Sequence, residues 1–107
     1  MTNEADRTRM LERHKLVVSI IEINSQQMRC ERECAGLDVE RACAVRDAAL
    51  PDASPDLHRL IATLDQRMAA LAGESQRLAT QRDFLNTALK EFDGGASIAD
   101  VGPVGRA

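Results

Sequence analysis

Three cysteines and two histidines are the side chains of this sequence best suited to metal or redox chemistry. Cys30 and Cys34 are four residues apart, which places both thiols on one face of a helix. A closed tetrahedral metal site needs two more ligands, usually cysteine or histidine. Cys43 points to another side of that helix, and neither His14 nor His58 is expected near the pair. We therefore predict no metal site within one chain and interpret the pair as small apolar interface residues. Two chains that bring both pairs together are the alternative route to four ligands.

The remaining candidates for catalysis are weak. Neither histidine has a partner at catalytic spacing, and the serines lie in helical sequence without the glycine-flanked turn of a nucleophile elbow. Gly94-Gly95 opens no following helix, so it does not have the pattern of a phosphate-binding loop. We predict no catalytic residue and no cofactor, and expect a protein that is not an enzyme.

Composition sets the class of fold. The chain has 107 residues, of which 44% are hydrophobic and 2% aromatic. This length suits one domain. The near-absence of aromatic residues argues against a β-sandwich or barrel, whereas the abundance of Ala, Leu, Arg and Glu favours long helices or a coiled coil. A net charge of −3 without a basic cluster argues against nucleic-acid binding.

Location follows from three negative features. The cysteine count is odd, which is a poor basis for a disulfide framework. We find no secretory signal pattern and no apolar run of roughly 20 residues that could span a bilayer. These features predict a cytoplasmic protein without a membrane span.

The second half of the chain predicts a helix over residues 55–93. Ser54 is a suitable N-cap and Pro55 suits the first helical position. Large apolar residues then occur at every seventh position. A second set of positions lies four residues after the first five of them. The first set is Leu57, Leu64, Leu71, Leu78, Leu85 and Phe92, and the second is Ile61, Met68, Ser75, Arg82 and Leu89. This heptad pattern predicts coiled-coil packing. Gly94-Gly95 is the expected end, followed by a disordered tail over residues 94–107.

The first half predicts a helix over about residues 3–50, with a turn at residues 51–54. Its best apolar seam consists of Leu16, Ile20, Ile23, Gln27, Cys30, Cys34, Leu37, Arg41, Ala44 and Ala48. The two seams align as an antiparallel hairpin when paired residue numbers sum to 105. The predicted fold is therefore all-α, a long antiparallel two-helix coiled coil. Dimerisation into a four-helix bundle is a further option.

The first helix carries a second apolar stripe beside its seam. Its members are Val17, Ile21, Met28, Ala35, Val39, Ala42 and Ala49. A helix with one partner needs one stripe. The surplus predicts a partner-binding surface that includes Val17, Ile21, Met28 and Val39. The alternative is that these residues widen the hairpin interface.

Two segments carry a family resemblance. The leucine-repeat second helix with its glycine-containing tail is similar to the small helical chaperones of flagellar and type III export. The Arg-, Ala- and Cys-rich residues 29–35 and 41–44 resemble coiled-coil stalk proteins of the same systems. The resemblance implies a cytoplasmic protein that binds amphipathic helices of an export substrate or of an export ATPase complex.

Together these features predict a non-enzymatic coiled-coil interaction protein, a chaperone or accessory factor of a type III or flagellar export system. Its partner would contribute an amphipathic helix. The alternative is a dimeric regulatory helical hairpin that binds nucleic acid or a regulator.

Overall fold

The computed structural model describes the backbone of residues 3–100 and the side chains of residues 3–94. Two α-helices of 45 residues each, α1 (Glu4–Ala48) and α2 (Asp56–Asp100), account for nearly all of this part of the chain. Residues 3–100 include no β-strand. The prediction of an all-α antiparallel helical hairpin is confirmed.

Asn3 starts α1. Its side-chain Oδ1 accepts a hydrogen bond of 2.8 Å from the backbone N–H of Asp6, and its carbonyl accepts one of 3.1 Å from Arg7. This is N-cap geometry, which satisfies a donor that the first helical turn leaves without an intrahelical partner. Acidic Glu4 and Asp6 lie at the positive end of the helix dipole, and Arg46 lies at the negative end.

The connection between the helices covers residues 49–55, close to the predicted turn at residues 51–54. Ser54 caps α2 as predicted, because its Oγ accepts a hydrogen bond of 3.2 Å from the backbone N–H of Asp56. Its carbonyl also accepts from the N–H of Leu57 at 3.0 Å. The N–H of Ala53 donates to the carbonyl of Leu50 at 3.1 Å, which tightens the turn before the cap.

The far end of α2 differs from expectation. The helix continues to Asp100, whereas Gly94-Gly95 was expected to end it at residue 93. Gly94 does not adopt the left-handed backbone of a helix-ending glycine. A glycine inside a helix costs only about 1 kcal/mol relative to alanine, so it weakens a helix without necessarily ending it. The predicted tail thus lies partly within α2, and residues 101–107 lie outside the described residues.

The chain divides into two compact units. In the first unit, residues 3–24 pack against residues 80–94, and Ile23 is buried. Arg13 Nε donates to Asp93 Oδ1 at 2.9 Å across the two helices. The Arg9 guanidinium lies 4.9 Å from the centre of the Phe92 ring and donates to the Phe92 carbonyl at 3.2 Å.

The second unit comprises residues 25–79 and includes the connection. Its core is formed by four buried side chains, Leu37, Ala44, Leu64 and Leu78. Arg41 forms an ion pair with Asp65 across the two helices, and Arg67 lies 3.6 Å from Glu33. Exposed ion pairs of this kind contribute little to stability, so the leucine contacts supply most of the packing energy.

The predicted seams are confirmed position by position. All ten seam residues of α1 and all eleven of α2 are buried or half-buried. The ion pairs between the helices scatter around the predicted sum of 105. The numbers of Arg13 and Asp93 sum to 106 in the first unit, and those of Arg41 and Asp65 do the same in the second. Those of Glu33 and Arg67 sum to 100, so the register stays a prediction.

Candidate partner-binding surface

The four predicted partner-binding residues all lie on α1. In the first unit, Val17 is half-buried and Ile21 is 58% exposed. In the second unit, Met28 and Val39 are 56% and 64% exposed. The interpretation that the stripe merely widens the hairpin interface therefore applies to Val17 but not to the other three residues.

The exposure of this stripe follows from helix geometry. Ile21 and Met28 each follow a seam residue, Ile20 or Gln27, by one position. One residue turns an α-helix by about 100°, so their side chains leave the seam and point toward solvent. The seven-residue spacing keeps Met28, Ala35 and Ala42 in one row along the second unit.

The first unit exposes more apolar surface than was predicted. Met10 and Leu11 are 67% and 54% exposed, and Val18 is 36% exposed. An open concavity of about 550 Å³ adjoins them, lined by Glu4, Arg7, Thr8, Met10, Leu11 and His14. Met10 and Leu11 precede Val17 and Val18 by seven residues each, so extending the apolar stripe by one heptad toward the N-terminus could have found this surface.

In the second unit the apolar row is bordered by charge. Met28, Ala35 and Ala42 are exposed, and Glu31 and Arg32 lie beside them, also exposed. Val45 and Leu50 extend the exposed apolar surface toward the connection. The second unit thus presents on α1 an apolar strip with charged edges, a form suited to packing against another helix.

Over residues 56–94, the exposed apolar residues of large size on helix α2 are isolated. Phe84 in the first unit is 65% exposed, and Leu60 in the second unit is 40% exposed. Single exposed apolar side chains are ordinary on protein surfaces and indicate no site. They serve as matched controls for the row on α1.

The cysteines lie as the helical pattern predicts. Cys30 and Cys34 are half-buried in the seam, and Cys43 is exposed. All three are free thiols. Within the described residues, no three or more histidine, cysteine or acidic side chains group closely enough to hold a metal ion.

Side chains in three ion pairs have shifted pKa values. Hydrogen bonding to the Arg13 guanidinium lowers the pKa of Asp93, and the same contact raises the pKa of Arg13. Within α2, the hydrogen bond from Arg77 lowers the pKa of Glu74. Hydrogen bonding to Asp65 raises the pKa of Arg41. All these shifts favour the charged forms, as expected for surface ion pairs.

In the described part of the chain neither helix has an apolar stretch of the length that a bilayer crossing requires.

No protein-family model matches this chain, and neither a curated protein nor a solved structure is significantly similar to it. Fold and surface together define a helical-hairpin protein with an exposed apolar strip on its first helix. The resemblance to export chaperones and stalk proteins rests on the sequence pattern alone.

Proposed function

We propose that this chain is a non-enzymatic interaction protein that binds an amphipathic helix of a protein partner on the outer face of α1. The observation that carries the proposal is the exposure of Ile21, Met28 and Val39 beside a seam that is already filled by α2. In each unit, exposed large apolar side chains present surface that a second helix can remove from water, at about 25 cal/mol per Å².

The mode of recognition is helix-in-groove packing. An incoming helix would place its apolar residues at i, i+3, i+4 and i+7 against the row, while its polar face stays in water. The small side chains of Ala35 and Ala42 allow its backbone to approach closely, and Met28 adapts its shape to the partner. In the first unit, Ile21 with Met10 and Leu11 provides a separate apolar patch of the same kind.

The sequence resemblance supports a narrower role within this proposal. The leucine repeat of α2 and the Arg-, Ala- and Cys-rich segment of α1 suggest a chaperone or accessory factor of type III or flagellar export. Its partner would then be an amphipathic helix of an export substrate or of the export ATPase complex, bound in the cytoplasm.

Site-specific photo-cross-linking tests the proposal. A benzophenone amino acid at position 21 or 28 should cross-link a partner protein in source cells, whereas the same group at exposed Phe84 should not. Equal yields at all three positions would contradict a specific surface. Mass spectrometry of the product decides the narrower role, because a partner outside the export apparatus would refute it.

Charged substitutions are a second test of the proposed function. Met28→Glu and Val39→Glu should abolish partner capture without changing helicity measured by circular dichroism, because both side chains lie on the surface. Leu60→Glu on α2 is the matched control and should retain capture. If Met28→Glu instead unfolds the protein, the residue belongs to the core and the proposal fails.

A further inference from the structure

Glu31 and Arg32 are two charges in the second unit that the hairpin does not pair. Both are exposed, and neither forms an ion pair within residues 3–94. Helical neighbours lie three and four residues away, and for Glu31 these positions hold no basic residue. For Arg32 they hold no acidic residue. Both charges are therefore available to a group outside this chain.

These two charges border the apolar row of Met28, Ala35 and Ala42 on opposite sides. Glu31 follows Met28 by three residues, a rotation of 300°, which places it about 60° to one side of the row. Arg32 follows Met28 by four residues and lies about 40° to the other side. At nearly the same height along α1, the row therefore has an acidic edge and a basic edge.

We propose that the occupant of this strip is α1 of a second copy of the chain, packed parallel and in register. The inference rests on the proposed function and names the helix that the surface binds in the second unit. In a parallel pair the two-fold axis runs parallel to the helices. The acidic edge of one copy therefore faces the basic edge of the other. Glu31 of each copy then faces Arg32 of its partner, which forms two symmetric ion pairs.

The antiparallel arrangement lacks this complementarity. Its two-fold axis is perpendicular to the helices, so each edge faces its own equivalent. The edge with Glu31 would then meet a second acidic edge, which is unfavourable. Parallel pairing also stacks Met28, Ala35 and Ala42 on their own equivalents. Alanines at successive layers allow two helices to approach closely.

Two other charges near the row, Asp38 and Arg46, have partners on their own helix. Asp38 lies close enough to Arg41 on its own helix to raise the pKa of that arginine. Arg46 Nε lies 3.6 Å from Asp47 Oδ1, also within α1. Glu31 and Arg32 thus carry the charge complementarity of the strip.

Charge reversal with sedimentation equilibrium tests the proposal on the full chain. We expect a dimer for the unmodified protein. Glu31→Arg and Arg32→Glu should each raise the dissociation constant about tenfold, because each turns two attractive contacts into repulsive ones. The double variant, Glu31→Arg with Arg32→Glu, should restore the original constant, since the reversed charges again face each other. Glu40→Arg, about 160° around the helix from Ala42, is the control and should change nothing.

Three results would overturn this inference: a monomer at about 200 µM, a dimer insensitive to both single reversals, or a dimer whose original dissociation constant the double variant does not restore. The cross-linking experiment separates this failure from that of the proposed function. A monomer that still cross-links another protein from position 28 refutes the dimer alone, whereas a monomer without cross-links at positions 21 and 28 refutes both.

Discussion

At the scale of single residues, the contacts between the helices combine buried apolar groups with exposed ion pairs. In the first unit, the Arg13 side chain binds both carboxylate oxygens of Asp93, at 2.9 and 3.2 Å. Arg9 adds a contact with the face of the Phe92 ring. These contacts cluster next to Gly94, where a glycine pair lowers the intrinsic stability of α2. These contacts connect the turns of α2 that precede Gly94-Gly95 to α1.

The pH dependence of this contact has a definite sign. Because the folded-state pKa of Asp93 is lowered, its ion pair stabilises the fold above about pH 4, the ordinary pKa of an aspartate. That contribution is lost as pH falls through the lower folded-state pKa. Asp93→Asn should therefore be less stable than the unmodified chain in urea at pH 7, and the difference should disappear in acid. Glu91→Gln is the control, and a difference that persists at low pH would contradict the assignment.

At the scale of the helices, the seven-residue repeat decides which face is buried. In α2, Leu64 is 1% exposed whereas Leu60, four residues earlier, is 40% exposed. The two leucines have the same intrinsic helix propensity, so their difference in burial comes from contact with α1. Their comparison isolates the energy of the seam from the energy of forming the helix.

Leu64→Ala should lower the free energy of unfolding by about 2–5 kcal/mol, because it removes buried methyl groups and leaves a cavity. Leu60→Ala should lower it by less than about 1 kcal/mol, since a large part of the Leu60 side chain is already in water. Urea denaturation of both variants measures the two losses of unfolding free energy. Similar losses in both variants would mean that Leu60 is also a core residue and that the seam is wider than the structure shows.

At the scale of the whole molecule, the main question is whether the hairpin acts alone. A ligand that binds only the folded state raises its stability by mass action, and a second copy is such a ligand. If chains pair through α1, the melting temperature should rise between about 5 and about 200 µM protein. Met28→Glu should remove this dependence while leaving helicity unchanged. A melting temperature that is independent of concentration in the unmodified protein would argue against pairing.

Much of this fold could be predicted because its signals are local and periodic. The seams, the Ser54 cap and the connection between the helices all depend on residues close in sequence. The end of α2 was harder to predict, because Gly94-Gly95 is compatible with either a helix end or a weak helix, and neighbouring contacts decide between them. The exposed apolar surface at Met10 and Leu11 was not predicted, because the second stripe was defined as beginning at Val17.

The sequence by itself determined that α1 has two apolar stripes and α2 has one dominant repeat. It also indicated which stripe would meet that repeat, but it did not determine whether the second stripe would be covered as well, because both stripes satisfy helical periodicity. The tertiary structure decided this. The stripe that contains Leu37 and Ala44 packs against α2, whereas Met28 and Val39 stay in solvent. The physical reason is that one helix can cover only one side of another. The uncovered stripe is therefore the surface on which the proposed function depends.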